Sequence, residues 1–341
     1  MSDIRKDKRL DNILISDYQG DTLLSNVYLE HNSFPEMNFK DIDTKVTWYG
    51  KDMSFPLIIN AITGGTEQSI EINEILYTLA KELNISMGVG NQDLLLKNPE
   101  SIEFYLDDSK EKRDIVMLSN LHAQSDQEAA SYAMAAVNAD AICLHVNIAQ
   151  EIVGGVEDRD FSNLLSNLKM HASQLGERLI VKEIGSGMSE KTVSSLIEQG
   201  VSVIDVSGAG GTNIIELENL QNHNRDYSEL YEWGIPTAKS LINARRVSKD
   251  ITLIASGGIR TAMDIVKSIV LGADFVGVGG ELLKYVLHGG HDYAKEYLEK
   301  LMYNTKVIMY FLGARNVEEL KRVPYKLTGR LREITECIDS Q

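Results

Sequence analysis

The stretch Thr252-Leu-Ile-Ala-Ser-Gly-Gly-Ile-Arg-Thr-Ala-Met-Asp264 carries the pattern on which the fold turns. A short apolar run, 252–255, meets the turn Ser256-Gly257-Gly258. From Ala262 onward, apolar residues recur at three- and four-residue spacing. A strand therefore passes through a glycine turn into a helix.

The same order repeats along the chain. Strand-like runs fall at 55–61, 85–89, 115–118, 141–146, 179–183, 203–206, 252–255 and 275–278. Segments of helical period at 72–83, 127–137, 161–175, 190–199, 236–247 and 262–271 lie between them. Strand and helix alternating through short connections predict a parallel sheet covered by helices. Eight runs are the number that closes an α/β barrel, so the expected fold is a single-domain (β/α)8 TIM barrel. An open doubly wound sheet is the alternative that periodicity leaves standing. The expected organisation is an N-terminal extension at 1–50, the barrel at 51–290 and C-terminal helices at 291–341. The charged tail after about Glu281 is expected to be helical and to pack beside the barrel.

The 341 residues suit one barrel domain, and 43% hydrophobic content is ample for a large core. A net charge of −16 argues against nucleic acid and anionic membrane surfaces as partners, so an anionic small substrate needs a local basic patch. Cys143 and Cys337 lack metal-ligand or redox spacing, and Cys143 sits in an apolar run as a buried thiol. The start carries no apolar signal region and no run reaches transmembrane length, so a cytoplasmic location is expected.

Barrel sites form at the C-terminal strand ends, and here every such segment is polar: Thr63-Gly64-Gly65, Gly90-Asn91-Gln92, Ser119-Asn120, His145 with Asn147, Lys182-Glu183, Ser207-Gly208, Ser256-Gly257-Gly258 and Gly279-Gly280. The last two glycine turns each open a helix, which suits a phosphate. Lys182 lies within a strand and needs an anionic partner, for which the N1/O2 edge of a flavin is a candidate. Asp205 reads equally as structural or functional. Gly208-Ala-Gly-Gly-Thr-Asn213 lacks dinucleotide spacing, and no Walker lysine motif occurs. His145-Val-Asn-Ile-Ala-Gln-Glu151 offers an imidazole, two amides and a carboxylate; one carboxylate holds Mg2+ when a substrate phosphate and water complete the shell. Arg5, Lys6, Lys8 and Arg9 form a basic cluster that reads as a solubilising tail or as a phosphate clamp over the mouth.

In this order the motifs resemble the type 2, FMN-dependent isopentenyl-diphosphate delta-isomerases over nearly the whole chain. The matching elements are Arg5-Lys6-Asp7, Ile62-Thr63-Gly64-Gly65, His145/Asn147/Gln150/Glu151, Asp158-Arg159-Asp160-Phe161, Val181 to Met188, Gly210-Gly211-Thr212 and Ser256 to Thr261. The resemblance implies FMN contacts from Ile62, Thr63, Gly64, Asn91, Asn120, Lys182, Ser207, Thr212, Gly258, Ile259, Arg260, Gly279 and Gly280. It implies that Arg5, Lys6, His145 and Asn147 hold the substrate diphosphate, that Gln150 touches substrate and that Glu151 binds Mg2+. It also implies isomerisation between isopentenyl and dimethylallyl diphosphate by reduced FMN, NADPH as the reductant, and a homotetramer or homo-octamer.

The chain departs from the family pattern at several points. Asn91-Gln92-Asp93 stands where Ser-Gln-Arg is usual, which turns a phosphate-facing cation into an anion; an outward-turned Asp93 is the expectation. Arg9 replaces a histidine, Gly154-Gly155-Val156-Glu157 replaces Pro-Glu-Gly, and Ala209 replaces an arginine. Two other functions compete. An FMN-dependent α-hydroxy-acid oxidase needs a His-x-Gly-Gly-Arg context that the late histidines His223, His288 and His291 do not have. A non-catalytic flavin-binding relative is the other.

Overall fold

The computed structural model describes residues 20–105, 114–155, 160–221 and 226–336. Eight parallel strands close a barrel: β1 (Leu57–Ile59), β2 (Ser86–Gly88), β3 (Met117–His122), β4 (Ala141–Val146), β5 (Leu179–Glu183), β6 (Val203–Asp205), β7 (Thr252–Ala255) and β8 (Phe275–Val278). Neighbours in chain order pair throughout, and β8 returns to β1. Around them run α1 (Glu67–Leu83), α2 (Asp93–Lys97), α3 (Gln127–Ala136), α4 (Ile148–Gly154), α5 (Leu164–Leu175), α6 (Glu190–Glu198), α7 (Ile214–Gln221), α8 (Thr237–Val247), α9 (Ala262–Val270) and α10 (Gly280–Leu312). The protein is a (β/α)8 TIM barrel, not an open sheet.

Strand alternation divides the core in two. Ile58, Leu118, Cys143, Ile180, Val203, Ile254 and Phe275 share one parity and form an inner cluster. Residues of the other parity, such as Ile59, Met87, Leu144, Val181 and Val276, pack outward under the helices. The inner cluster rests on the antiparallel pair Val46–Trp48 and Lys51–Met53, whose Trp48 ring stacks 4.2 Å from Phe275. Lys51 fixes this floor by donating to Asp140 Oδ2 and to the Ile115 carbonyl, both at 2.8 Å.

Two boundaries differ from expectation for physical reasons. The third strand runs on to His122, because Asn120 and His122 remain in register with Cys143 and His145 of β4. The first helix begins at Glu67, where Ser69 Oγ accepts the Thr66 N–H and so satisfies a free donor at the helix start. The tail is not wholly helical. α10 breaks at Gly290, with φ 65 and ψ −154, and α11 (Val317–Leu320) and α12 (Gly329–Glu336) follow. Between the last two, Tyr325–Leu327 pairs antiparallel with Val27–Leu29 and joins the tail to the N-terminal side.

Replacing Trp48 with alanine should open a void under the inner cluster and lower stability by about 3 kcal/mol. Urea unfolding would measure this. The exposed Trp233→Ala serves as control, with a change within about 0.5 kcal/mol.

Candidate active site

Above the apolar layer the same inward parity turns polar. Asn60, Asn120, His145, Lys182, Asp205 and Ser256 follow Ile58, Leu118, Cys143, Ile180, Val203 and Ile254 by two residues each. They lie at the C-terminal end of the barrel, where a cavity of about 310 Å³ opens. That volume is within the usual range for a small-molecule site.

Lys182 and Asp205 are paired in register on β5 and β6. Lys182 Nζ donates to Asp205 Oδ2 at 3.0 Å, with the side chains only 9% and 3% exposed. Asp205 Oδ1 accepts from Ser256 Oγ at 2.6 Å and from the Ser207 N–H at 3.1 Å. The anionic partner of this lysine is thus supplied by the protein itself. Ser207 sits at φ 33, a left-handed conformation unusual for serine and held by this carboxylate. Cys143, one layer below, is buried, and burial pushes its thiol up to about 12.

The glycine turns after β6, β7 and β8 close on one another. A Cβ on Gly257 (φ 93) would overlap the Gly208 carbonyl, and one on Gly258 (φ 75) would overlap the Gly210 carbonyl. Only glycine permits this approach. Arg260 Nη2 donates to the Gly210 carbonyl at 2.8 Å, drawing the β7 turn onto the β6 turn. Thr261 and Asp264 form a reciprocal cap that starts α9 immediately after the turn. The cradle therefore combines backbone N–H groups, the start of α10 at Gly280 and a guanidinium, a donor set that fits a phosphate monoester. An isoalloxazine beside Lys182 fits the same wall, since a buried cation suits the reduced ring.

The opposite wall belongs to β2, β3 and β4. Gln92 is fully buried; its Oε1 accepts from Ser119 Oγ at 2.6 Å and Asn120 N at 3.0 Å, while Nε2 donates to the Ala133 carbonyl. His145 Nδ1 donates to Asn120 Oδ1 at 3.0 Å. The His145 ring lies 4.4 Å from that of His122. His122 Nε2 pairs with Asp93 Oδ2 at 2.7 Å, and Asn91 Nδ2 donates to the same oxygen at 2.9 Å. Asp93 is therefore turned inward, contrary to the outward orientation expected from sequence, because an imidazole stands within reach. Burial alone would push the His122 imidazole down, but the hydrogen bond and charge of Asp93 outweigh it and hold it above its usual value. Burial likewise raises the Asp93 carboxyl, while His122 and Asn91 bring it below the ordinary range.

α4 and α7 pack together over the β4 and β6 ends. Gln150 Nε2 donates to Glu218 Oε1 at 2.8 Å, which fixes the amide at the cavity edge. Glu151 Oε1 accepts from Asn147 Nδ2 at 2.6 Å. On β5, burial pushes the Glu183 carboxyl up to about 7, against three backbone N–H donors from Ile184, Gly185 and Ser186 that favour its charged form.

The cavity brings together Ile62, Thr63, Gly64, Asn91, Asn120, Lys182, Ser207, Thr212, Gly258, Ile259, Arg260, Gly279 and Gly280, with His145 and Gln150 on the same lining. Asn147 and Glu151 stand behind it rather than on it. Arg5 and Lys6 lie outside the described residues. Sequence reasoning missed Asn60, Lys284, Glu218 and His122. The signal for Asn60 and His122 was strand parity, two residues beyond Ile58 and Asn120; for Lys284 it was position at the start of the second turn of the helix after β8.

Residues 145–325 match the family described as FMN-dependent dehydrogenase. Among solved structures, a mandelate oxidase is similar with a TM-score of 0.64 at 14% identity, covering 94% of this chain and 92% of its own. A lactate oxidase of Pediococcus acidilactici gives 0.65 at 14% identity, covering 94% and 87%. At that identity the likeness is one of fold. Curated sequences are far nearer. The isopentenyl-diphosphate delta-isomerase of Staphylococcus haemolyticus is 35% identical over 97% of this chain and 96% of its own. That of Moorella thermoacetica is 35% identical over 93% and 91%, and that of Metallosphaera sedula 33% over 97% and 94%. The chain belongs to the FMN-dependent, type 2 isopentenyl-diphosphate delta-isomerase family.

Proposed function

We propose that the chain interconverts isopentenyl diphosphate and dimethylallyl diphosphate, with FMN as resident cofactor, Mg2+ on the substrate diphosphate and NADPH as the reductant. The observation that carries the reading is the two-sided cavity. One wall is a glycine cradle with Arg260 and Lys182, suited to a flavin phosphate and ring; the other offers imidazole and amides, suited to a second anionic ligand.

When bound and reduced, FMN supplies the proton exchange that moves an alkene by one carbon without net oxidation. The residues of the chain hold and orient. Gly258, Ile259, Gly279 and Gly280 present backbone to the flavin phosphate, with Arg260 beside them. Lys182, fixed by Asp205, would supply a donor to the ring. Thr63, Gly64, Asn91, Asn120, Ser207, Thr212 and Ile62 border the remainder of the flavin. His145, held by Asn120, would take the diphosphate from the cavity lining, with Asn147 behind it, and Arg5 and Lys6 would be the further diphosphate-binding residues. Gln150, held by Glu218, faces the alkene end of the substrate. Glu151 would supply one carboxylate to Mg2+, which typically takes its remaining ligands from substrate phosphate and water. The family reading also carries assembly as a homotetramer or homo-octamer, which sedimentation of the purified protein would measure.

Purified protein should show a flavin visible spectrum that bleaches with dithionite, and should turn over isopentenyl diphosphate only after that reduction. Bleaching by a 2-hydroxy acid, with no allylic product, would favour the oxidase reading that shares this barrel.

Lys182→Ala leaves Asp205 buried without its cation, which costs about 3–5 kcal/mol. The variant should purify with most of its flavin lost. Full flavin content and unchanged activity would remove Lys182 from the cofactor wall.

Glu151→Gln should raise the Mg2+ concentration needed for half-maximal rate by about tenfold, the loss of one charged contact. Flavin absorbance should stay unchanged. An unaltered Mg2+ titration would leave Glu151 as a partner of Asn147 alone.

A further inference from the structure

We propose that Asn60 is a flavin-binding residue of the barrel lumen, its side-chain amide hydrogen bonding to the uncharged part of the cofactor, the ring or the chain that joins it to the phosphate. The inference rests on FMN as the resident cofactor and adds to that reading a residue that the family motifs do not include.

Two residues above the apolar layer, six strands turn a polar side chain inward, and the other two, β2 and β8, carry Gly88 and Gly277. These glycines stand on either side of Asn60, because β1 pairs with both β2 and β8. Lys182, Asp205 and Ser256 bond to one another across β5, β6 and β7, and His145 bonds to Asn120 across β4 and β3. Asn60 belongs to neither group. Among the described residues no hydrogen bond reaches its side chain, and a glycine separates it from each group. The half-buried amide lines the cavity directly.

The place of the amide depends on β8. A Cβ on Gly277 would fall 2.5 Å from Asn60 Nδ2 and 2.8 Å from Oδ1, so the amide fills the space that a side chain on β8 would take. Glycine at 277 is therefore a condition for an amide at 60. A Cβ on Gly279, one inward position further along, would stand 3.8 Å from the Asn60 Cβ. Gly279 and Gly280 belong to the cradle that suits the flavin phosphate, and Lys182 faces the same cavity from β5 across the barrel. A ligand anchored both on the cradle and at Lys182 would pass the Asn60 amide.

The chemistry of the amide selects the part of the ligand it meets. A primary amide offers two donors and an acceptor without charge. The phosphate already has backbone N–H groups and the Arg260 guanidinium, which match its charge. The ring carbonyls and N–H, and the hydroxyls of the chain, are neutral, and they too need partners once taken out of water. A flavin in the lumen would give a partner to these groups and to the Asn60 amide together. An apolar residue at 60 would leave the polar groups of the ligand unpaired, the costly half of a broken hydrogen bond.

The test dialyses the full-length, flavin-loaded protein against falling FMN concentrations and reads Kd. Asn60→Leu, similar in size, and Asn60→Ala, smaller, both remove the amide and should each raise Kd about tenfold, the loss of one or two neutral hydrogen bonds. Riboflavin should lose the same factor, because the amide acts away from the phosphate. Without added flavin the thermal midpoint of Asn60→Leu should not fall, since no protein partner is lost, while the rise in midpoint on adding FMN should shrink. Unchanged Kd in both variants, or a rise in Asn60→Leu alone that reports bulk, overturns the proposal. So does a loss confined to FMN, which puts the amide at the phosphate, and so does a lower midpoint with unaltered Kd, the mark of a purely structural residue. A parent protein that holds no flavin overturns the cofactor reading and this inference with it. Weaker flavin binding by the variants of a parent that turns over no isopentenyl diphosphate overturns the isomerase reading and leaves the Asn60 contact standing.

Discussion

Strand parity in a closed barrel is the constraint on which the rest of this molecule depends. Every second residue of every strand must enter the lumen, so the lumen is built in layers and each layer is a decision made by all strands together. Here the lower layer is Ile58, Leu118, Cys143, Ile180, Val203, Ile254 and Phe275, sealed beneath by Trp48. The next layer up is Asn60, Asn120, His145, Lys182, Asp205 and Ser256. Passing from one to the other within two residues places polar groups where water is scarce and each requires a hydrogen-bonding partner. The hydrogen bonds that result are also what gives the site its shape.

Lys182 and Asp205 show how that requirement becomes organisation. A single buried charge would be strongly disfavoured, and a buried pair is tolerated when its remaining bonding capacity is satisfied. Asp205 accepts from the lysine, from Ser256 and from the Ser207 backbone, so three strands converge on one carboxylate. The same contact holds Ser207 in its left-handed conformation and orients the turn that packs against Gly257. The lysine is aimed by this hydrogen bond before any ligand arrives. A donor fixed in this way would need no rearrangement to meet an anionic ring edge, which is the physical meaning of preorganisation in a site of this kind.

All eight strands were legible in the sequence because each is an apolar run ended by a polar turn, and parallel strands buried on both faces advertise themselves that way. The ligand wall at β7 and β8 was legible for a related reason: glycine pairs before a helix have few other uses. What escaped was positional. The third strand was expected to end at 118, since Ser119-Asn120 looks like a turn, and pairing with β4 overrode that local signal. With the strand ended at 118, nothing in the sequence singled out His122, and Asp93 stood without a visible partner. The short helices α4 and α7 were also hidden, each being too short for its period to register beside a turn. Their packing fixes Gln150 through Glu218, a partner 68 residues away that no local pattern reveals.

The electrostatics of the mouth reconcile an acidic chain with an anionic ligand. A net charge of −16 disfavours approach of a diphosphate at long range, yet screening limits that field to about 8 Å at physiological ionic strength. Within that distance local arrangement decides, and two of the cations on the described lining are tied to a protein acceptor, Lys182 to Asp205 and Arg260 to the Gly210 carbonyl, while Lys284 stands 4.0 Å from Glu281. Tethering reduces their reach and lowers the entropy lost when a ligand docks. The lysines and the guanidinium lie toward β5 to β8, whereas His145 and the amides Asn91, Asn120 and Gln150 lie toward β2 to β4. Two different anions can thus occupy one cavity without competing for the same donors.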